Sequence, residues 1–395
     1  MRTVSAIKNI NSTLIVYGLN MVLQFIIRFV LLYYLSIEYL GLNGLFDNIL
    51  TVLSLTELGI GPAIIFSLYS PLANHDLETA KSIMRIFKKA YIYIGTLILF
   101  LGLCISPFVQ YLIKVPPNIA YLNIFFLLFV VDTGISYFYS YKKCLLIADQ
   151  KQYIANYYRG ITQLIGSLFQ IALVILTHSF WVYIILRICM TFSENFLIAR
   201  KADHLYSFLN EKNIQPLNKD IYQSIIRNIK ALILHKIGGV TVFGTSNIIL
   251  SKFVGLSAVA LYTNYYLIIN GIDKLSDQVF NALKASVGNL NESHDDAHKL
   301  VIFKRLEFMT AYLACFICSN LYLLLNPFIT IWLGSSYRFD ESIVLWMVIN
   351  FYLMFMRKGV LVFKDAMGLF WQNRYMSLIE ALINLGSSNF LVLLW

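Results

Sequence analysis

The constraint that dominates this chain is the recurrence of long apolar runs, near residues 12–34, 42–69, 90–113, 120–147, 157–178, 180–202, 232–253, 256–285, 308–331, 342–364 and 376–395. A hydrocarbon layer about 30 Å thick is crossed by about 20 helical residues. Within it the backbone must satisfy its own polar groups, which a helix does locally. The runs therefore predict an all-α polytopic membrane protein with about 11 transmembrane helices. Composition agrees: 58% of the 395 residues are hydrophobic and only 13% charged, with a mean hydropathy of +0.69, whereas soluble domains carry about 25% charged residues. The net charge of +10 fits basic cytoplasmic loops. Nucleic-acid binding is set aside, because no basic patch alternates with stacking aromatics outside the apolar runs.

Lysine and arginine set the orientation. With the N-terminus cytoplasmic, the inward loops collect most of the basic residues, from Lys81 and Arg85 through Arg200 and Lys201 to Lys304 and Arg305. The outward loops hold little beyond Lys114, Lys252 and Arg338, as the positive-inside rule expects. The first run is too long for a signal peptide and no small-residue cleavage site follows, so it is read as a retained span. The five cysteines lie in or beside apolar runs. Cys315 and Cys318 have the spacing of a metal or redox pair but no second pair, and read as packing thiols. His294 and His298 flank two aspartates in a segment that reads equally as a solvated loop, so no metal and no cofactor are expected.

The second half restarts the first. "GLFDN" at 44–48 recurs as "ALYTN" at 260–264, and "IFKK" at 86–89 as "IFKR" at 302–305, both at an offset of 216. Farther on, Lys142 and Tyr153 match Lys364 and Tyr375 at an offset of 222. Matching segments are an even number of spans apart, which makes a parallel repeat of six helices. The expected organisation is an N-terminal six-helix lobe over 1–203, an amphipathic cytoplasmic linker over 204–231, and a C-terminal lobe over 232–395. The run at 376–395 corresponds to the fifth helix of the repeat, so the C-terminal lobe is expected to hold five helices with the sixth missing.

Polar residues stripe these spans at steps of three or four. The first carries Thr13, Tyr17, Asn20, Gln24 and Arg28; the second Asn43, Asp47, Thr51, Ser54 and Glu57. A charge at bilayer centre costs about 2.5–3.5 kcal/mol on the insertion scale, so the stripes predict a polar cavity between two bundles rather than lipid-facing surfaces. Asn20, Gln24, Arg28, Arg187, Arg357 and Lys358 are the candidate lining of that cavity, with the bases offered to an anionic group such as a diphosphate. A second reading stays open, in which each arginine pairs with a carboxylate, Arg187 for instance with Glu194 or Asp132. Glu57, Asp132 and Asp273 are candidates for ion or proton coupling. The offset of 216 matches Glu57 to Asp273 but sends Gly59 and Pro62 to Leu275 and Gln278. Gly59, Gly61 and Pro62 therefore predict a kink or hinge in the first lobe alone, just inward of Glu57.

The stretches "YLGLNGLFDNILTVLSLTELGIGPAIIFSLYSPLANHD", "DHLY…KALILHKIGGV" and "FVGLSAVALYTNYYLIING" resemble the polysaccharide-transporter branch of the multidrug/oligosaccharidyl-lipid/polysaccharide (MOP) flippase superfamily, the Wzx-type flippases. The resemblance implies a MATE/MOP-like two-lobe bundle of 12 or more spans, of which the C-terminal end is missing here. It implies a bacterial cytoplasmic membrane protein that flips undecaprenyl-diphosphate-linked oligosaccharide units from inner to outer leaflet by alternating access, for capsule or O-antigen assembly. Its partners would be that lipid-linked substrate, membrane lipid and other polysaccharide-assembly proteins. A cation-coupled drug or small-molecule antiporter of the same fold is the alternative. An enzyme is not expected: no nucleotide-binding loop and no nucleophile–base constellation occur, and no outward loop is long enough to house a glycosyltransferase or polymerase site.

Overall fold

The structure is a computed structural model that describes residues 2–57, 60–114, 119–211, 215–223, 225–227, 229–230, 244–293, 296–367, 376, 379–380, 382–384 and 386–387. The described elements are helical: α1 (Arg2–Tyr34), α2 (Ile37–Leu53), α3 (Ile60–Ala73), α4 (Leu77–Ile105), α5 (Leu122–Ala148), α6 (Gln152–Thr177), α7 (Phe180–Leu205), α8 (Ser246–Phe253), α9 (Leu256–Ser293), α10 (Asp296–Leu333) and α11 (Glu341–Ala366). Short 3-10 turns at Ser54–Glu57, Ser106–Leu112, Ser207–Asn210 and Ser335–Tyr337 join some of them. Among the described residues, seven helices are long and apolar enough to cross a membrane, or eight if α2 and α3 count as one broken span. The protein is a polytopic all-α membrane protein. Expected spans at 120–147, 157–178, 180–202 and 342–364 reappear as α5, α6, α7 and α11. Most of the expected runs at 232–253 and 376–395 lie outside the described residues.

The expected span at 42–69 is two helices. α2 ends at Leu53 and α3 begins at Ile60, with a 47° bend between them. The repeat-related α9 runs unbroken through 38 residues. Helix ends elsewhere have local causes. Asp76 caps α4 by accepting from the Thr79 N–H at 3.0 Å, and this bond holds its carboxyl below the ordinary 3.8. Gly334, at φ +104°, closes α10 in the left-handed region that favours glycine.

By compactness the chain divides into Met1–Val259 with Ser377–Trp395, and Ala260–Met376. The first unit has a core of Ile64, Leu68, Phe87, Ile98 and Leu145, all essentially inaccessible. Phe46 of α2 packs edge-on against Phe126 and Phe129 of α5. The segment after α7 joins this core through Phe208 and Ile225. It is tied down by polar contacts too: buried Lys81 bridges Glu78 and Glu211 at 2.7 and 2.6 Å, and Ser82 Oγ donates to the Gln215 carbonyl. Tyr206 Oη donates to Asp149 at 2.6 Å, and burial together with that bond pushes its phenol pKa up. The helix α8 is laced to α2: Asn247 Nδ2 donates to Asn48 Oδ1 and the Gly44 carbonyl, and Asn48 Nδ2 to the Gly244 carbonyl. A Cβ at Gly41 would lie 2.3 Å from the Leu256 carbonyl oxygen, so glycine is required for that approach.

The second unit has its own core, built on Tyr265, Ala314, Ile329 and Phe355. Tyr265 is fully buried and donates its hydroxyl to Asn326, while accepting from the Phe339 N–H at 3.0 Å. Large apolar side chains elsewhere face outward, Ile331 at 87% exposure and Leu176 at 74%. In a bilayer that surface meets hydrocarbon and costs nothing.

Candidate functional site

The first polar cluster is centred on Arg187 of α7. Its guanidinium donates in three directions: Nε to Asp132 at 2.9 Å, Nη1 to Asn43 at 3.0 Å and Nη2 to Asp47 at 2.8 Å. Its planar face lies over the Phe129 ring at 4.3 Å. Three N–H donors of one side chain thus reach acceptors on two helices, α2 and α5, a fork that only arginine provides. Arg28 of α1 reaches the same place electrostatically, through Tyr183 and Asp47. The Tyr183 hydroxyl donates to Asn43 at 3.4 Å. The Arg187 guanidinium thus sits between two aspartates, Asp132 only 7% exposed and Asp47 44% exposed. Asp47 is the side on which this cluster meets its surroundings.

The second cluster surrounds Glu57, at the end of the 3-10 turn that breaks α2 from α3. Tyr91 of α4 donates to Oε1 at 3.0 Å, and Tyr137 of α5 reaches Oε2 at 3.4 Å. Gly61 is what admits this arrangement. A Cβ there would lie 2.8 Å from the Tyr91 hydroxyl and 2.9 Å from Glu57 Oε1. Beside the expected hinge role, Gly61 serves close approach. Pro62 lies in the first turn of α3, just after the 47° bend, where its N–H has no intrahelical partner to lose. Gly59 falls outside the described residues.

In the second unit, Lys358 of α11 is buried and bonds two acids of α9, Asp273 at 2.9 Å and Asp277. Beside it a groove of about 300 Å³ runs between α9 and α11, lined by Tyr262, Tyr266, Asn270, Asp273, Trp346 and Asn350 among others. Tyr262 and Tyr266 stack at 5.7 Å, and Trp346 is 70% exposed.

Of the residues anticipated from sequence, Arg187 bonds Asp47 and Asp132, Lys358 bonds Asp273, and Arg28 is attracted electrostatically to Asp47. Arg187 and Lys358 are thus engaged with carboxylates within their own unit. Arg357, one step along α11, is exposed where Lys358 is buried, because helical neighbours point to different faces. The Asn20 side-chain oxygen is buried and accepts no hydrogen bond among the described residues, while Gln24 is exposed. Tyr183, Tyr91 and Tyr137 were not anticipated from sequence, whereas Asp277 belongs to the polar stripe of its span with Asn270 and Asp273. Nothing in the sequence singles out three tyrosines among 26.

No family model and no curated protein matches the sequence. Among solved structures, an inward-facing multidrug-resistance MATE-family transporter of the MOP superfamily aligns over 92% of this chain and 84% of its own, with a TM-score of 0.63 at 13% identity. A MATE in a bent conformation aligns over 98% and 95% at 11% identity with a TM-score of 0.47. An outward-facing MATE transporter aligns over 95% of each chain at 12% identity with a TM-score of 0.46. The fold assignment rests on the first: this chain has the fold of a MATE transporter.

Proposed function

We propose that the chain is an alternating-access transporter that moves lipid-linked oligosaccharides across the bacterial cytoplasmic membrane, turning undecaprenyl-diphosphate-linked units from inner to outer leaflet. The observation that carries this reading is the α9–α11 groove, where Trp346, Tyr262 and Tyr266 offer flat apolar faces beside Asn270 and Asn350. Aromatic faces stack on the C–H faces of a sugar ring, while amides bond its hydroxyls, the usual mixture of an apolar wall with a few placed polar groups. In the first unit, a diphosphate would compete with half-exposed Asp47 for Arg28 and Arg187, exchanging one anion for another. Trp346→Ala, Arg28→Ala and Arg187→Ala should each abolish surface polysaccharide while lipid-linked precursor accumulates inside. Normal surface polymer in all three variants overturns the reading.

A second reading, a cation-coupled drug antiporter, is favoured by the acid excess beside the same groove, two aspartates against one lysine. An aromatic wall with a carboxylate also suits an organic cation. Glu57, Asp132 and Asp273 would then carry the coupling ion. Resistance to cationic dyes, conferred by the chain and lost in Asp273→Asn, would select this reading. Full activity of Glu57→Gln at every external pH would remove proton coupling at Glu57 from either one.

A further inference from the structure

A groove of about 770 Å³ lies in the first unit where α1, α6 and the end of α7 meet. Its rim carries Lys8 and Lys201, and its trough is apolar, with Ile15, Ile161 and Leu164 on the walls. No carboxylate lines it. The two lysines belong to different helices, yet both mark the same end of the bundle. Lys8 opens the apolar span of α1, and Lys201 sits in the last turns of the α7 span. Lys8 is held there, its ammonium 5.7 Å from the centre of the Tyr153 ring at the start of α6.

The seam beneath the groove is rigid. Asn156 donates to Ser12 and Thr13 at 3.0 and 2.9 Å, and Asn9 Oδ1 accepts from the Tyr153 N–H at 2.8 Å. Gly160 lets α6 approach α1, since a Cβ there would lie 3.1 Å from Val16. The groove is therefore preformed and spends little conformational entropy on receiving a ligand. Ile15 and Tyr157 stand 70% and 63% exposed along it. Two ammonium groups at headgroup level above an apolar trough complement one class of molecule, an anion with a hydrocarbon tail.

We propose that this groove binds an anionic phospholipid of the surrounding bilayer. The headgroup phosphate lies between Lys8 and Lys201, and one acyl chain runs along Ile15, Ile161 and Leu164. The site is independent of the transported cargo, so it stands or falls apart from the function proposed above.

The test uses the full chain reconstituted in phosphatidylcholine vesicles doped with phosphatidylglycerol. Retained lipid is counted by native mass spectrometry after stepwise delipidation. The double variant Lys8→Gln/Lys201→Gln should lose phosphatidylglycerol affinity about thirtyfold, from two lysine contacts at a membrane surface, and Lys8→Arg/Lys201→Arg should restore most of it. Ile161→Trp, which fills the trough but keeps both lysines, should displace the lipid as well. Lys88→Gln/Lys89→Gln, on an exposed face of α4, should change nothing. Undiminished phosphatidylglycerol retention in both the lysine and the groove-filling variants overturns the proposal. Retention of undecaprenyl phosphate that phosphatidylglycerol cannot compete away overturns it too, by assigning the groove to a different lipid.

Discussion

The segment α2–α3 and the helix α9 occupy the same place in the two repeats and carry an acid at the same position, Glu57 and Asp273, yet they differ in nearly everything around it. In the first unit the helix stops at Leu53, tightens to a 3-10 turn and resumes at Ile60. The carboxylate at the break is met by two neutral phenols. In the second unit the helix runs through, and the carboxylate is met by an ammonium group shared with Asp277. Asp277 stands where the first copy has Gly61. Where glycine makes room for a phenol, the second copy places another acid and answers it with a lysine. The repeat has kept the position of the acid but not its electrostatics.

The comparison can be broken most severely at the Arg187 cluster, which the second unit does not reproduce among its described residues. Asp132→Ala leaves a mostly buried guanidinium short of a counter-ion. It should lower stability by about 3–5 kcal/mol, read as the unfolding midpoint of the purified protein in mild detergent. A loss no larger than that of an exposed aspartate would mean the cluster is solvated. Next comes the continuity of α9. Gln278→Pro copies Pro62 into a helix interior and should cost about 3 kcal/mol, with faster hydrogen exchange on the residues just before it. Unchanged exchange would show that α9 is already broken.

The Glu57 site gives intermediate effects. Gly61→Ala drives a methyl group against Tyr91 and Glu57 and should cost about 1–3 kcal/mol; a neutral result would mean that the two side chains move apart freely. At Asp76 the loss on substitution with alanine should be about 1 kcal/mol at neutral pH. The folded carboxyl is depressed below 3.8, so the cap contributes fully above that value and is lost as pH falls through the lower folded one. The gap between wild type and Asp76→Ala should therefore close on acidification below about pH 3.8 and stay constant above it. The smallest effect is expected at Pro62. Substitution with alanine in a first turn should change stability by less than about 0.5 kcal/mol and leave the break in place, which separates the proline from the bend it adjoins.

Much of the architecture was legible without coordinates because lipid imposes it locally. A helix that must bond its own backbone across hydrocarbon announces itself as a run of about 20 apolar residues. α5, α6, α7 and α11 appear within a few residues of where those runs lie. The polar stripes were legible too, since an arginine such as Arg187 in such a run must find a partner. Which partner it finds was not. Asp47 and Asp132 lie 140 and 55 residues from it in sequence, and the choice among Glu194, Asp132 and a ligand depends on how helices pack. The same holds for Gly61, whose sequence context beside a proline gives no sign that a Cβ there would lie 2.8 Å from the Tyr91 hydroxyl.

The sequence by itself determined a membrane protein of helices repeated in parallel, with an acid matched in both copies. Those properties follow from the period of hydrophobicity and from a constant offset, both local or one-dimensional. Only the tertiary structure decided that the candidate cavity bases Arg187 and Lys358 already hold carboxylates, that Gly61 leaves room for a phenol beside Glu57, and that one copy of the helix breaks while the other does not. Each of these depends on distances between side chains far apart along the chain, and hydropathy carries no information about such distances.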